Sequence, residues 1–379
     1  MRIAHVTDVY LPRLGGVELQ VHDLALRQRS AGHDTVVITT TAPPPGLEPS
    51  GRVTDRLADV EVLRLGHGRI GAGPYRGVSD DELVATLAAL GIDAVHVHLS
   101  TFSPLAWAAA RLAGRTGLPT VVSVHSMWHD IAPLVRGYAR RRHANRWPVA
   151  WAAVSSVAAA GVRDALDGAP VDVLPNGIDP GAWLQPGAPD PTRVPTVISV
   201  GRMVRRKQPR PLLRTLLALR ATRPGAFTAV LVGDGPLLPA LRREVDRAGA
   251  ADDIVLTGAL DRTAIRARLA AADLYLAPAH RESFGIAALE ARSAGLPVIA
   301  RTGSGVADFI RDGVDGWLVG SEADLLATVG ALLDAPDRIA AIGRHNRAVP
   351  PAVNWDAVLN RASALYDRAA GHQGRVGVR

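Results

Sequence analysis

The sequence predicts an α/β protein of two doubly wound, parallel-sheet domains facing a central cleft. Three observations carry this. Apolar runs of strand length alternate with longer helical patterns along nearly the whole chain, an order that builds parallel sheets covered by helices. With 379 residues the chain exceeds what one hydrophobic core usually serves. Near its middle, NGIDPGAWLQPGAPDPTRVP is dense in Pro, Gly and Asp and reads as an interdomain linker.

In the first half the expected strands are residues 3–7, 35–40, 60–65, 94–98, 120–125, 150–155 and 171–174. In the second they are 196–200, 227–232, 254–257, 274–277 and 297–300. A boundary near Leu184 gives domains 1–184 and 185–353, and residues 354–379 form a helix that returns to the first domain, plus a tail. Ligands of such sheets bind beyond the carboxyl ends of the strands, so chemistry is sought in the loops that follow strands.

Hydrophobic residues make up 47% of the chain, enough for two cores. The net charge of +7 raises nucleic acid or an anionic membrane as partners. Arginine almost without lysine, beside abundant alanine, reads instead as compositional bias on solvated helix faces, and nucleic acid is not expected. The absence of cysteine excludes disulfides, zinc-thiolate sites and a cysteine nucleophile. No run approaches the roughly 20 apolar residues of a membrane span. The opening MRIAHVTDVY lacks a signal-peptide pattern, so a soluble cytoplasmic protein is expected.

A nicotinamide enzyme has the same alternation, but its G-x-G-x-x-G should follow the first strand. Here that strand leads into DVYLPRLGGVE, and the partial matches at Gly233 and Gly303 lack the third glycine. Gly15 and Gly16 open a helix whose Val17, Val21, Leu24, Ala25 and Ala31 share a face, with Gly32 as its C-cap. The pair suits an anion at a helix start or an ordinary turn equally.

RESFGIAALEARSAGLPVIA says more. Seven residues separate Glu282 from Glu290. Ser283 is placed to cap a helix starting near Phe284, which would direct the amides of Phe284, Gly285 and Ile286 at a ligand. Around Glu290 the positions three and four away are Ile286, Ala287, Ser293 and Ala294, none basic, so a carboxylate there is either buried at cost or turned to a ligand's hydroxyls. Two carboxylates flanking an anion-binding helix start suit a nucleotide sugar. In VISVGRMVRRKQ a strand and the turn at Gly201 lead to Arg202 and to Lys207, the chain's one lysine. Guanidinium and ammonium together match a diphosphate. Incidental charge on a basic loop is the plainer alternative, and the lone lysine tilts the balance toward the diphosphate.

Along the chain stand, in order, LGGVE with AGH downstream, VVSVHS, AAVSS, VLPNGID, GRMVRRK, LVGDGP, APAHRESFGIAALEARSAGLPVI and DGWLV. This succession resembles the retaining glycosyltransferases of family 4, whose GT-B fold has two Rossmann-like domains. The resemblance implies transfer of a hexose or N-acetylhexosamine from a nucleotide diphosphate sugar to a hydroxyl acceptor, by front-face substitution with retention. No metal or other cofactor is implied. Carried over by residue, Glu282 holds the donor sugar and Glu290 the ribose. Ser283, Phe284, Gly285 and Ile286 lie along sugar and phosphates, Arg202 and Lys207 hold the diphosphate, and Gly15 and Gly16 approach it. His125 lies near the reacting centre, so the reaction rests on His125, Arg202, Lys207 and Glu282. Ser304, Ala307 and Asp308 depart from the family's Gly, Pro and Glu, which puts that loop's contacts in doubt.

His96 and His98 share one strand face and could ligate a metal, but the sequence offers no third ligand, and they read better as packing or as acceptor lining. His98, His125 and Asp8 are thus the acceptor-side candidates. HVHLSTFSP and VVSVHSMW look like the branch that glycosylates phosphatidylinositol, including the subunit that adds GlcNAc. That favours a UDP-sugar over a GDP-sugar, and a small-molecule or lipid-linked acceptor. The segment with Trp128, Ile131, Leu134, Val135 and Tyr138 beside Arg136, Arg140, Arg141 and Arg142 could touch an anionic membrane, or be an ordinary amphipathic helix. A sugar-nucleotide 2-epimerase and a silent nucleotide-sugar-binding protein are the alternatives from other classes.

Overall fold

The computed structural model describes residues 1–43, 52–69, 76–128, 131–184 and 193–376. Residues 185–192 of the expected linker lie outside them. The chain divides into two compact units, Met1–Gly177 with Trp355–Arg379, and Ile178–Asn354. The division falls at Gly177, ahead of the boundary read near Leu184.

The first unit contains β1 (Arg2–Thr7), β2 (Asp34–Thr39), β3 (Val53–Leu57), β4 (Val60–Arg64), β5 (His67–Arg69), β6 (Arg76–Gly77), β7 (Ala94–Leu99), β8 (Thr120–Val124), β9 (Ala150–Ala153) and β10 (Val171–Val173). Eight of them form one sheet in the order β10-β9-β8-β7-β1-β2-β4-β3. All its pairings are parallel except β3 with β4. Strands buried on both faces read as continuous apolar runs, and β7, β8 and β9 are buried at every position. The edge strand β3, VTDRL, is only half-buried and was not legible as a strand. Its helices are α1 (Gly16–Ser30), α2 (Asp80–Ala89), α3 (Pro104–Thr116), α4 (Ala132–Arg142) and α5 (Ser156–Ala165). Ala31 caps α1 and is exposed rather than on the buried face, and Gly32 follows the cap at φ 88°.

The second unit has β11 (Thr196–Val200), β12 (Thr228–Val232), β13 (Ile254–Gly258), β14 (Leu274–Ala277), β15 (Val298–Arg301) and β16 (Gly316–Val319), in the order β13-β12-β11-β14-β15-β16. Every pairing is parallel. Its helices are α6 (Pro180–Trp183), α7 (Pro209–Thr222), α8 (Leu238–Arg247), α9 (Arg262–Ala270), α10 (Ile286–Ser293), α11 (Glu322–Leu333) and α12 (Pro336–Ala348). Finally α13 (Trp355–Val376) packs on the first unit's sheet. Its Trp355, Val358, Ala362, Leu365, Tyr366 and Ala369 recur at helical spacing and meet Ile3, Val121 and Ala150.

In each sheet the strand order reverses once, between β1 and β7 and between β11 and β14. The connections leave such a pair on opposite faces, which opens a crevice at the carboxyl ends. The loops after β1, β7, β11 and β14 are therefore where each unit can take a ligand.

A buried charge cluster fastens the second unit behind its crevice. Arg292, on the inner face of α10, donates to Asp315 at 2.7 Å and to the carbonyls of Asn346 and Val349 at 3.0 and 2.8 Å. Arg311 donates to Asp315 at 2.7 Å. Burial opposes ionisation of Asp315, but the Arg311 side chain and amide and the Arg292 charge outweigh it and hold the carboxyl well below the usual carboxylate range. Asp315→Ala leaves Arg292 buried without a counter-charge and should cost about 3–5 kcal/mol in denaturant unfolding at pH 7. An acid depressed by folding adds stability that is complete above about pH 4 and fades as pH falls further. The gap between wild type and variant should narrow accordingly.

Candidate active site

In the second unit the crevice loops are built by close backbone packing. Gly201 and Met203 donate to Val232 and Asp234 carbonyls at 2.9 and 2.8 Å. A Cβ on Gly233 would stand 2.0 Å from the Gly201 oxygen, so only glycine permits this approach. Across the reversal, the Gly305 amide donates to the Glu282 carbonyl at 2.8 Å. The loops after β11 and β14 then meet through side chains. Lys207, at the end of a 3₁₀ turn, forms an ion pair with Glu282, and both side chains are half-buried.

The sequence assigned these two residues to different parts of a ligand, and folding brings them into direct contact. A compact ammonium with three donors can hold one carboxylate and retain donors for other oxygens. Arg202 is exposed, and no partner for its side chain is recorded among the described residues. Arg205 and Arg206 are exposed.

One expectation needs correction here. Ser283 does not cap α10. The helix starts at Ile286, and its N-cap is Gly285 at φ 91°, where no side-chain cap bond forms. Val306 lies 2.4 Å from where a Gly285 Cβ would be, so the left-handed turn and the tight contact both call for glycine. Phe284 is buried, stacked aslant on Phe309, and offers its backbone rather than its ring. Glu290 stands one turn into α10 and is half-buried. Burial pushes the Tyr275 hydroxyl up in pKa, and the hydroxyl donates to the Val200 carbonyl at 3.1 Å. The negative charges of Glu290 and Glu282 push it in the same direction as burial. Ser304 is buried with its hydroxyl on the Arg301 carbonyl, while Ala307 and Asp308 belong to a 3₁₀ turn.

In the first unit two candidates have structural duties. Asp8 is 2% exposed, and its oxygens accept from the Leu105 and Ala106 amides at 2.9 and 3.0 Å, at the start of α3. Burial raises its pKa to about 6, against the pull of those amides. It holds a helix start and is not turned toward an acceptor. Gly15 precedes α1, but Glu18 folds its carboxylate back until a Cβ on Gly15 would be 2.3 Å from Oε2. An anion at Gly15 and Gly16 would meet that carboxylate, itself paired with Arg13 at 3.3 Å.

His98 and His125 belong to a set the sequence showed only in part. His98 joins His125 at 3.0 Å and His5 at 2.9 Å, and His5 joins Gln28 at 2.7 Å. Gln28 donates to the Tyr366 hydroxyl at 2.9 Å, Tyr366 meets His96 at 2.8 Å, and His96 meets Ser123 at 2.8 Å. The third histidine that the sequence lacked is His5: ring nitrogens of His5, His96 and His98 lie within 4.8 Å of one another. All six of those nitrogens already have hydrogen-bond partners, which identifies a hydrogen-bonded chain rather than an open ligand set. Alternation on β1 and β7 gave a clue, but the register that sets His5 opposite His96 belongs to the sheet.

The basic segment near α4 buries only part of its apolar side. Trp128 is fully buried and stacks on Trp107, Val135 is buried, and Leu134 is 77% exposed. Arg136 and Arg140 pair with Asp164 and Asp167. No helix of the described residues is long and apolar enough to cross a membrane.

Two family models match this chain. One described as Glycosyltransferase Family 4 matches residues 14–182, and one described as Glycosyl transferases group 1 matches 194–335. The chain is 27% identical to D-inositol 3-phosphate glycosyltransferase 2 of Catenulispora acidiphila, over 96% of this chain and 93% of that protein. It is 28% identical to the GDP-mannose-dependent alpha-(1-6)-phosphatidylinositol monomannoside mannosyltransferase of Mycobacterium tuberculosis, over 94% and 96%. Its fold matches Anabaena HepE in complex with UDP-glucose with a TM-score of 0.74 at 18% identity, covering 97% of this chain and 100% of that one.

The histidine set also has a pH signature. Burial lowers His5 and His125 to about 4, and lowers His96 and His98 well below the ordinary value. The unfolded chain therefore binds more protons than the folded one as pH falls from about 6.5 toward 4. Stability should drop across that window, by up to about 1.4 kcal/mol per pH unit for each histidine. His5→Asn should flatten the slope in pH-dependent denaturant unfolding.

Proposed function

Because the chain belongs to glycosyltransferase family 4 and is an enzyme moving a sugar from a nucleotide donor to a hydroxyl acceptor, we propose that its donor is a UDP-sugar. We propose further that transfer retains anomeric configuration without a resident metal, and that the acceptor is a hydroxyl of an inositol phosphate. The observation that carries this reading is the Lys207–Glu282 pair at the strand-order reversal, between the glycine-tightened loops after β11 and β14. The named functions of the inositol-phosphate relatives support the acceptor. UDP-glucose bound to HepE, which shares the fold, supports the donor.

Charge on the leaving phosphate rises as the glycosidic bond breaks, and fixed positive groups at that place lower the barrier without reorganising. Lys207 and the exposed Arg202 serve as those groups. Glu282 keeps the ammonium placed and takes a sugar hydroxyl, and Glu290, one turn into α10, takes the ribose hydroxyls. The backbone from Ser283 to Ile286 follows the diphosphate. His125 faces the acceptor hydroxyl, and the departing phosphate receives its proton in the front-face step, so no protein nucleophile is required. The division of labour is positioning and charge stabilisation.

A thermal-shift panel of UDP-, GDP- and ADP-sugars identifies the donor, since a specific ligand stabilises the folded protein by mass action. Nucleoside diphosphate release should require acceptor, tested with D-inositol 3-phosphate and with phosphatidylinositol vesicles. Release or epimerised sugar without acceptor would favour a 2-epimerase, and binding without turnover a silent binding protein. Lys207→Ala should lower kcat by about 10²-fold or more, the scale of removing one fixed donor from a developing anion. Near-normal kcat at saturating donor would remove Lys207 from this role. Lys207→Arg should also lose activity, because the bulkier fork misplaces its charge beside Glu282.

A further inference from the structure

The hydrogen-bonded set in the first unit is one unbranched chain: His125, His98, His5, Gln28, Tyr366, His96 and Ser123. Its inner members are buried, His5 and His96 completely and Gln28 at 1% exposure. The two ends, His125 and Ser123, stand two residues apart on one strand direction and line a single narrow pocket of about 20 Å³, room for about one water. Gln20 lines the same pocket, is 6% exposed, and its carbonyl Oε1 has no hydrogen-bond partner. A buried orphan acceptor is costly unless something donates to it.

The direction of every bond follows from one residue. Gln28 turns its carbonyl oxygen to His5 Nε2 and its amide nitrogen to the Tyr366 oxygen. An amide oxygen only accepts, so His5 Nε2 carries the proton and His5 Nδ1 is bare. That bare nitrogen accepts from His98 Nε2, which leaves His98 Nδ1 to accept from His125 Nε2. On the other side the amide donates to Tyr366, the Tyr366 hydroxyl donates to His96 Nδ1, and His96 Nε2 donates to Ser123. Burial keeps all four imidazoles neutral near pH 7, so none can donate at both nitrogens.

We propose that Gln28 is a positioning residue that sets one tautomer along this chain, so that His125 offers a bare Nδ1 to a hydroxyl of a polyol acceptor. This rests on the reading of the protein as a transferase to such an acceptor. His125, the half-exposed end of the chain, accepts from the ligand at Nδ1, whereas the pocket beside Gln20 and Ser123 has room for about one water. No proton is transferred along the chain in this role. The bare nitrogen orients the attacking hydroxyl so that an oxygen lone pair faces the anomeric carbon, while the leaving phosphate takes the proton.

Long-range ¹⁵N spectra of the imidazoles in the full-length, ligand-free protein at pH 7 test the assignment without any substrate. All four residues, His5, His96, His98 and His125, should be neutral with the proton on Nε2. Gln28→Met, which keeps volume and removes both amide groups, should mix tautomers at His5, His98 and His125. It should also lower kcat/KM for D-inositol 3-phosphate about tenfold, one hydrogen bond's worth, with donor KM unchanged. Tyr366→Phe cuts only the second arm and should leave the His125 tautomer intact. This variant covers the case in which Gln28→Met does not fold. A His125 proton on Nδ1, an imidazolium at pH 7, a His125 tautomer altered by Tyr366→Phe, or unchanged spectra in Gln28→Met would overturn the proposal. If the spectra are as expected but no inositol phosphate is glycosylated, the tautomer assignment stands and the acceptor reading fails.

Discussion

The reversal of strand order is the constraint on which the chemistry of each unit depends. Parallel strands bury both faces and expose no functional side chain along their length, so anything that meets a ligand must come from their ends. Between β11 and β14 the connections depart to opposite sides, and the two loops left facing one another carry Lys207 and Glu282. The glycines around them serve this meeting. Gly233 admits the Gly201 carbonyl, and Gly305 lies against the Ser283 carbonyl, where a Cβ would be 2.2 Å away.

Desolvation is the second organising force, and it acts differently on each ionisable group. Asp315 keeps its charge because two guanidiniums and a backbone amide surround it. Asp8 has two amides and no cation, and burial carries its pKa upward. The histidines have only one another and neutral partners, so they stay uncharged and become hydrogen-bonding groups of fixed sense. Neutrality is what makes the chain from His125 to Ser123 directional. A single protonated ring would donate from both nitrogens and break the order.

Much of the site was legible in the residues themselves. The alternation of runs located the sheets, and the spacing around Glu282, Glu290, Arg202 and Lys207 pointed to a charged, hydroxyl-rich ligand. Where the reading failed, a local rule lost to a tertiary contact. Ser283 satisfies the composition of an N-cap, yet the backbone turns left-handed at Gly285 to pass Val306 and moves the helix start. Asp8 ends a strand, where ligand groups are sought, but the start of α3 arrives there first. The aromatic and basic residues near α4 suggested a surface helix, and most of the rings proved to be packed into an aromatic cluster.

The sequence alone determined the α/β class, the two-sheet organisation and the identity of the charged residues at the carboxyl ends, because strand and helix periods are local properties of the chain. Tertiary structure decided which of those residues touch. Lys207 and Glu282 are 75 positions apart, and Gln28 and Tyr366 are 338 apart. No spacing rule links such pairs. Their contact comes from strand order and register, which are settled only when whole sheets bury their faces together.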